Sequence, residues 1–384
     1  VTTRAAWELM QIVRVAVLIC FLPVLLYRIR RIVRDPTSVP AVAVTAFGMS
    51  VWIWFVVYTD WVWAALPPGA RAVSVVGWPA ITIAACLQVF VIGIRGDASR
   101  ERIRRGLWVT VAGAVIALTI VVVAVRHSEV IGMAGDALTI ANIVYSGADR
   151  GAVIAVAVSS AYMMLVVLQL AWVGSRNADR TPVGVGLGLL AAASMFQVVA
   201  SFCGGIWRPL SHGEGFIGGA VGVWLQTWPG CIAAVLIVAG FLWPPVMLRV
   251  QARRELRRLR PLRDALGGMF PGLFPPVESR IRLSDLVFEW ITHIQDGLTL
   301  LAQSRRVPLV TNSPAPRGGS EQALDVANWL VDEAVPGFSC EWLRPPEGVS
   351  DGSWVLAIAD AYREHQEDLA APASLSGMPS TLRK

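Results

Sequence analysis

The chain almost lacks lysine and carries little charge of any kind. Only 16% of its 384 residues are charged, and Lys384 is the single lysine among 33 basic residues. Without an internal lysine there is no Walker-type phosphate lysine and no Schiff-base lysine. A P-loop nucleotide site and a retinal-type chromophore are thereby excluded. The spacings H-E-x-x-H, G-x-S-x-G and the EF-hand loop are missing too, so no catalytic residue and no cofactor is assigned. Gly184-Val-Gly186 superficially suggests a dinucleotide loop, but it lies inside an apolar run with no strand before it. Cysteine is sparse. Cys20, Cys86, Cys203 and Cys231 sit in apolar runs and Cys340 in the polar C-terminal part, which reads as five small buried hydrophobes rather than a disulfide framework.

What the chain has is apolar length. Hydrophobic residues make up 55% of it, and the mean hydropathy is +0.58, which places it in the membrane class. A hydrocarbon core of ~30 Å needs about 20 apolar residues in a helix. Seven runs approach that length: 7–27, 42–66, 72–94, 107–125, 151–173, 183–206 and 216–243. The predicted fold class is an all-α integral membrane protein, a seven-transmembrane-helix bundle followed by a small cytosolic helical domain. The lipid bilayer is its first partner.

Arginine sets the predicted orientation. Arg28, Arg30, Arg31 and Arg34 follow the first run, and Arg95, Arg100, Arg102, Arg104 and Arg105 follow the third. Arg176 and Arg180 follow the fifth, and Arg249, Arg253, Arg254, Arg257, Arg258, Arg260 and Arg263 follow the seventh. Opposite them stand only Arg4, Arg71, Arg126, Arg150 and Arg208. Positive charge stays on the cytoplasmic side, so the N-terminus is expected outside and the C-terminus inside the plasma membrane. The first run, with its positive flank after it and Arg14 within it, reads as an anchor rather than a removable signal. The formal charge of +6 is accounted for by this topology, and no nucleic-acid partner is expected. Trp7, Trp61, Trp63 and Trp207 fall near the outer ends, and Trp108, Trp172 and Trp243 near the inner ends, as an aromatic belt requires. Trp52, Trp54 and Trp224 lie deeper, either packing between helices or lining a pocket for an apolar ligand.

Ionisable residues inside spans point to membrane function. Here they are Glu8 and Arg14 in the first run and Asp60 in the second. Arg14 and Asp60 fall at similar depth and form a candidate ion pair, either a gate or a structural clamp. In the seventh run Trp228-Pro229-Gly230 predicts a kink, and Pro229 with Gly230 is a candidate hinge. Gly184 with Gly188, and Gly218 with Gly222, have small-xxx-small spacing and predict close packing of the last two spans. On the outer loops, His127 with Glu129 and His212 with Glu214 have metal-binding side chains, with Asp136 near the first pair. The spacing matches no metal signature, so they rank only as weak candidates.

The predicted organisation is a membrane domain at 1–245, a basic juxtamembrane helix at 246–266 bent near Pro261, a cytosolic helical domain at 267–370 and a disordered tail at 371–384. Within the third part, Leu283, Leu286, Val287, Trp290, Ile291, Ile294, Leu298 and Leu301 recur at helical spacing. Further helices are expected over 321–334 and 353–365, making a thin core that leans on the membrane, a cytosolic protein partner or a second copy. His293, the one histidine on the amphipathic helix, reads as a surface residue rather than a phospho-acceptor, because no ATP-binding domain follows it.

The cytosolic part resembles that of a family of actinobacterial seven-helix membrane proteins labelled as transporters, whose C-terminal region is a domain of unknown function. The resemblance rests on Leu256-x-x-Leu259-x-Pro261-Leu262-x-x-Ala265-Leu266, and on Arg282-Leu283-x-Asp285-Leu286-x-Phe288 leading to Ile294-Gln295-Asp296-Gly297-Leu298. It implies that Asp285, Phe288, Asp296 and Gly297 are the family-motif positions. His293 and Gln295 depart from it, standing where relatives commonly have Glu and Arg. Two functions stay open, beside the blander one of a scaffold that holds a cytosolic partner at the membrane. One is a receptor-like or regulatory protein coupling the bundle to the cytosolic domain. The other is a transporter for an apolar or uncharged small molecule, against which stand the odd span number and the absence of inverted halves. Neither is an enzyme.

Overall fold

Every regular element among the described residues is helical. The structure is a computed structural model, and it describes all residues except 1–3, 35–38, 76, 95–98, 129–138, 140–142, 144–146, 213, 219, 275–282, 312–314, 317 and 376–384. The chain divides into two compact units, Val1–Pro244 and Pro245–Lys384. In the first, the main helices are α1 (Arg4–Arg34), α2 (Val39–Val57), α3 (Asp60–Ala65), α4 (Pro68–Val75), α5 (Trp78–Ile94), α6 (Arg100–Arg126), α7 (Arg150–Arg176) and α8 (Pro182–Phe202). The next helix, α9, spans Ala220–Met269. The second unit adds α10 (Leu283–Ser304), α11 (Gly319–Leu330) and α12 (Asp351–Leu375).

Five helices are long and apolar enough to cross a bilayer: Val39–Val57, Arg100–Arg126, Arg150–Arg176, Pro182–Leu210 and Trp224–Met269. This is a membrane protein. The seven expected runs correspond to these five together with α1 and the 17-residue apolar α5. Two of those runs are not single helices. The second breaks at Tyr58 and Thr59, where Thr59 turns extended ahead of Asp60. The third starts in the separate α4 and breaks before α5 at Gly77, whose φ is +108°. A side chain there would meet the Ser159 Cβ at 2.6 Å, so both the backbone and the space demand glycine.

Helix α7 is the centre of the first unit and packs against α5, α6 and α8. Small residues set the spacing: Ala84, Ala152, Ala155 and Ala193 are completely buried, which lets backbones approach where lipid supplies no hydrophobic drive between helices. Leu87, Phe90, Val166, Leu170 and Leu190 fill the larger of its two cores. Phe241 of α9 enters that core, 5.6 Å from the Phe47 ring and 5.2 Å edge-on from Phe90. The close approach of α8 and α9 falls at Gly186 and Gly240. A Cβ on Gly186 would stand 2.9 Å from the Gly240 carbonyl oxygen.

The second unit is built on its own apolar core. The arginine-rich part of α9 has two faces, because leucines recur every three or four residues among the arginines. Leu259, Leu262 and Leu266 are fully buried beside Ile294, Trp354 and Ile358, while Arg249, Arg253, Arg254, Arg257 and Arg260 are exposed. Each such leucine contributes on the order of 2 kcal/mol by burial. The stretch 246–266, expected as a separate juxtamembrane helix, is therefore one wall of the core, which is thicker than expected. Trp354 anchors α12, its ring N–H donating to the Leu343 carbonyl at 2.8 Å. Trp329 and Phe338 stack at 4.7 Å. Helix α12 runs to Leu375, past residue 371, where the tail was expected to begin; 376–384 lie outside the described residues.

Candidate functional site

The best-defined polar constellation in the membrane unit surrounds the break between α2 and α3. Val56, Val57 and Thr59 are β-branched and weak helix formers, and Asp60 suits the first turn of a new helix. The Tyr58 carbonyl lies at this break. Two side chains of α1 reach it. Arg14 donates to it through its guanidinium, and Gln11 Nε2 donates at 3.0 Å. Gln11 Nε2 also lies 2.9 Å from Asp60 Oδ1, so one amide bridges the carbonyl and the carboxylate.

Tyr58 is the hub. Arg14 lies 5.8 Å over its ring, Trp54 meets it edge-on at 6.0 Å and Trp63 lies at 5.6 Å. Its hydroxyl donates to the Ser74 carbonyl of α4 at 3.1 Å. Arg71, also on α4, closes the C-terminal end of α3 by donating to the carbonyls of Leu66 at 2.8 Å and Ala64 at 2.7 Å. Guanidinium groups at these carbonyls complement the negative end of a helix. Side-chain donors thus supplement the backbone hydrogen bonding where the helix is interrupted.

A second irregularity lies at the end of α8. The helix widens into a π turn at Cys203–Trp207 and continues to Leu210. The Ser160 side chain of α7 and the Gln226 side chain of α9 lie against Gly205 and Gly204 in that turn, in space that a Cβ would need. Such bulges arise where side chains press on the ladder and occur often at functional sites. Between α5 and α7, Tyr162 donates to Gln88 Oε1 at 2.9 Å.

The expected ion pair is thus part of a larger arrangement. Asp60 is among the charges that act on Arg14; Arg14 also donates to the Tyr58 carbonyl, and Gln11 contacts Asp60. Pro229 and Gly230 lie inside the helical span of α9. Gly188 meets only Ala178, at 3.5 Å, and Gly184 and Gly222 are crowded by their own chain segments at Asp179 and Ile217 rather than by a neighbouring span. The side-chain surroundings of Gly218 lie outside the described residues. Of the weak metal candidates, His127 Nδ1 lies 2.8 Å from the Val123 carbonyl and His212 Nδ1 lies 3.1 Å from that of Gly147. Glu214 is exposed, and Glu129 and Asp136 lie outside the described residues. Among the described residues no group of three metal-binding side chains occurs.

Trp63, expected in the aromatic belt, is buried. Trp52 donates to the Leu18 carbonyl at 3.4 Å, a helix-packing contact, and Trp224 stacks on Trp228 with both rings exposed. In α10, Asp285, Phe288 and Asp296 are exposed on one face and Gly297 is buried; Arg282 lies outside the described residues. Gln11, Tyr58, Ser160 and Gln226 went unread in the sequence, and Arg71 was read only as an outer charge. The usable signal was an isolated amide inside an apolar run, as at Gln11, Gln88 and Gln226. The molecule is an all-helical membrane protein with polar clusters at two helix irregularities. No family model matches the chain, and no curated protein or solved structure is found to be similar to it.

Proposed function

We propose that this chain is a receptor-like or regulatory membrane protein, in which a seven-span bundle with its N-terminus outside governs a cytosolic helical unit. The spans are α1, α2 with α3, α5 with α4, α6, α7, α8 and the first half of α9. The arginine asymmetry supports that orientation. The observation that carries the coupling is that one helix supplies both cores. Phe241 and Gly240 of α9 belong to the first unit, and Leu259, Leu262 and Leu266 belong to the core of the second. A ligand or membrane state that favours one packing of Phe241 can bias the cytosolic unit through such a shared element. The output surface in this reading is the face of α10 that exposes Asp285, Phe288 and Asp296 to a cytosolic protein partner.

Hydrogen exchange on the full chain in nanodiscs tests the coupling. Phe241→Ala removes the ring between Phe47 and Phe90 and is expected to change exchange in α10 and α12. A folded Phe241→Ala protein with unchanged exchange in both helices refutes it. A transporter for an uncharged solute is the second reading, favoured by the break at Tyr58, since interrupted spans line many solute paths. Solute flux in proteoliposomes that is lost in Arg14→Ala would select it.

A further inference from the structure

A groove of about 420 Å³ runs between α7 and α8, walled by Leu168, Ala171 and Trp172 on one helix and by Ala191, Ala192 and Met195 on the other. Its depth comes from the alanines, set between larger side chains. Close to it the helices pinch at Gly174, where a Cβ would stand 2.8 Å from the Leu187 carbonyl oxygen. Leu168, Trp172 and Met195 are exposed, so the groove opens outward from the bundle. Its one polar side chain, Ser175, is turned back on its own helix and donates to the Trp172 carbonyl at 3.1 Å. A solute that needs hydrogen bonds finds none here; a hydrocarbon chain needs none.

The mouth is charged. Arg176 holds its guanidinium 4.1 Å over the Trp172 ring, a cation–π contact that fixes a long side chain at the groove's end. Arg180 follows in the exposed turn, and Asp179 faces the same turn with its carboxylate held by Thr181, whose backbone N–H donates to Oδ1 at 3.0 Å. Those hydrogen bonds lower the Asp179 pKa, so the turn carries two guanidinium groups against one carboxylate. From Leu168 to Ser175 the axial rise is roughly 10 Å, enough for part of one acyl chain.

We propose that this groove binds a single anionic phospholipid, with an acyl chain between α7 and α8 and its phosphate on Arg176 and Arg180. The proposal goes beyond the regulatory reading and rests on α7 and α8 lying in a bilayer. Native mass spectrometry of the full chain, released from micelles containing equal dioleoylphosphatidylglycerol and dioleoylphosphatidylcholine, tests it. Wild type is expected to retain one phosphatidylglycerol in preference to phosphatidylcholine. Arg176→Gln is expected to lower that preference roughly fivefold, the factor one guanidinium supplies at an anionic surface. Ala192→Phe, which fills the groove, is expected to abolish retention, and Ala192→Leu serves if the phenylalanine variant does not fold. Equal retention of the two lipids by wild type, or retention unchanged in a folded groove-filled variant, overturns the assignment. Wild type that retains neither lipid and stays monodisperse without detergent overturns the membrane placement itself.

Discussion

Arg258 and Asp360, 102 positions apart, meet in a forked pair: Arg258 Nε lies 3.1 Å from both carboxylate oxygens, and Nη2 closes on one of them. The pair ties the basic stretch of α9 to α12, and those hydrogen bonds raise the guanidinium pKa before any effect of charge is added. Arg363 lies 3.5 Å from the same carboxylate. With side chains 40% and 27% exposed, the pair is screened, so Asp360→Asn is expected to cost only about 1 kcal/mol. Thermal denaturation of the full chain, in a double-mutant cycle with Arg258→Gln, measures the coupling. Additive losses would show that the fork contributes nothing.

The close approach of α8 and α9 makes a sharper contrast. A methyl at Gly186 would meet the Pro244 ring at 2.8 Å as well as the Gly240 carbonyl, and neither can rotate away. Gly186→Ala is expected to cost ~1–3 kcal/mol as overpacking. Gly188→Ala, with space around it, is expected to be neutral or to gain up to about 1 kcal/mol from helix propensity. Melting temperatures in one detergent compare the two; equal effects would mean that the helices do not meet at Gly186.

Some of these features were legible in the sequence. The all-helical membrane character was, because the lipid core imposes a length and composition that any apolar run must match. The amphipathic α10 was, because its leucines and isoleucines keep a helical period. The break at Tyr58 was not. The apolar run continues through Trp61, Val62 and Trp63, so hydropathy passes over a backbone fault that only the positions of Gln11 and Arg14 reveal. Spacing alone also does not rank the glycines. Gly184, Gly186 and Gly188 look equivalent, and only the register against α9 selects Gly186. The Arg258–Asp360 fork has no local signature, since nothing in the sequence joins residues so far apart.

Asp285, Phe288, Asp296 and Gly297 of α10 separate by exposure. Phe288 is 73% exposed, so Phe288→Ser is expected to change stability by no more than ~0.5 kcal/mol. Gly297 is buried, and a Cβ there would stand 2.8 Å from Leu273 and 3.1 Å from Leu266. Gly297→Val is expected to cost about 2 kcal/mol. Chemical denaturation followed by tryptophan fluorescence distinguishes them. A large loss from Phe288→Ser would mean that this ring is covered in the native protein.

Asp325 of α11 supplies a pH test. Burial first, and then the neighbouring Glu321 charge, raise its pKa above the ordinary 3.8. The folded state therefore holds this proton more tightly than the unfolded chain, and stability falls as pH rises through the window just above 3.8. Asp325→Asn removes that penalty. The variant is expected to melt higher than wild type at neutral pH, by an amount consistent with ~0.2–0.5 kcal/mol for a like-charge pair one turn apart. The advantage should vanish below 3.8. A neutral-pH melting point that is unchanged or lower contradicts the raised pKa.

Arg14 and Asp60 would ordinarily be tested by exchanging the two charges. If they formed a simple pair, Arg14→Asp combined with Asp60→Arg would restore what each single change loses. The geometry at Tyr58 argues for a different outcome. Arg14 donates to the Tyr58 carbonyl oxygen at the helix break, and an aspartate in its place would set one acceptor against another. An arginine at 60 would in turn face the Gln11 amide N–H groups, donor against donor. The double exchange is therefore expected to be no more stable than Arg14→Asp alone, whereas Arg14→Lys, which keeps a donor, should recover part of the loss. Gln11 would still donate to that oxygen, so what Arg14→Asp removes is one charge-assisted hydrogen bond, about 1.5–3 kcal/mol, and its separation from Arg14→Lys is measurable by melting in detergent. Full recovery by the double exchange would show that the carboxylate, and not the Tyr58 carbonyl, is the group Arg14 is there to meet.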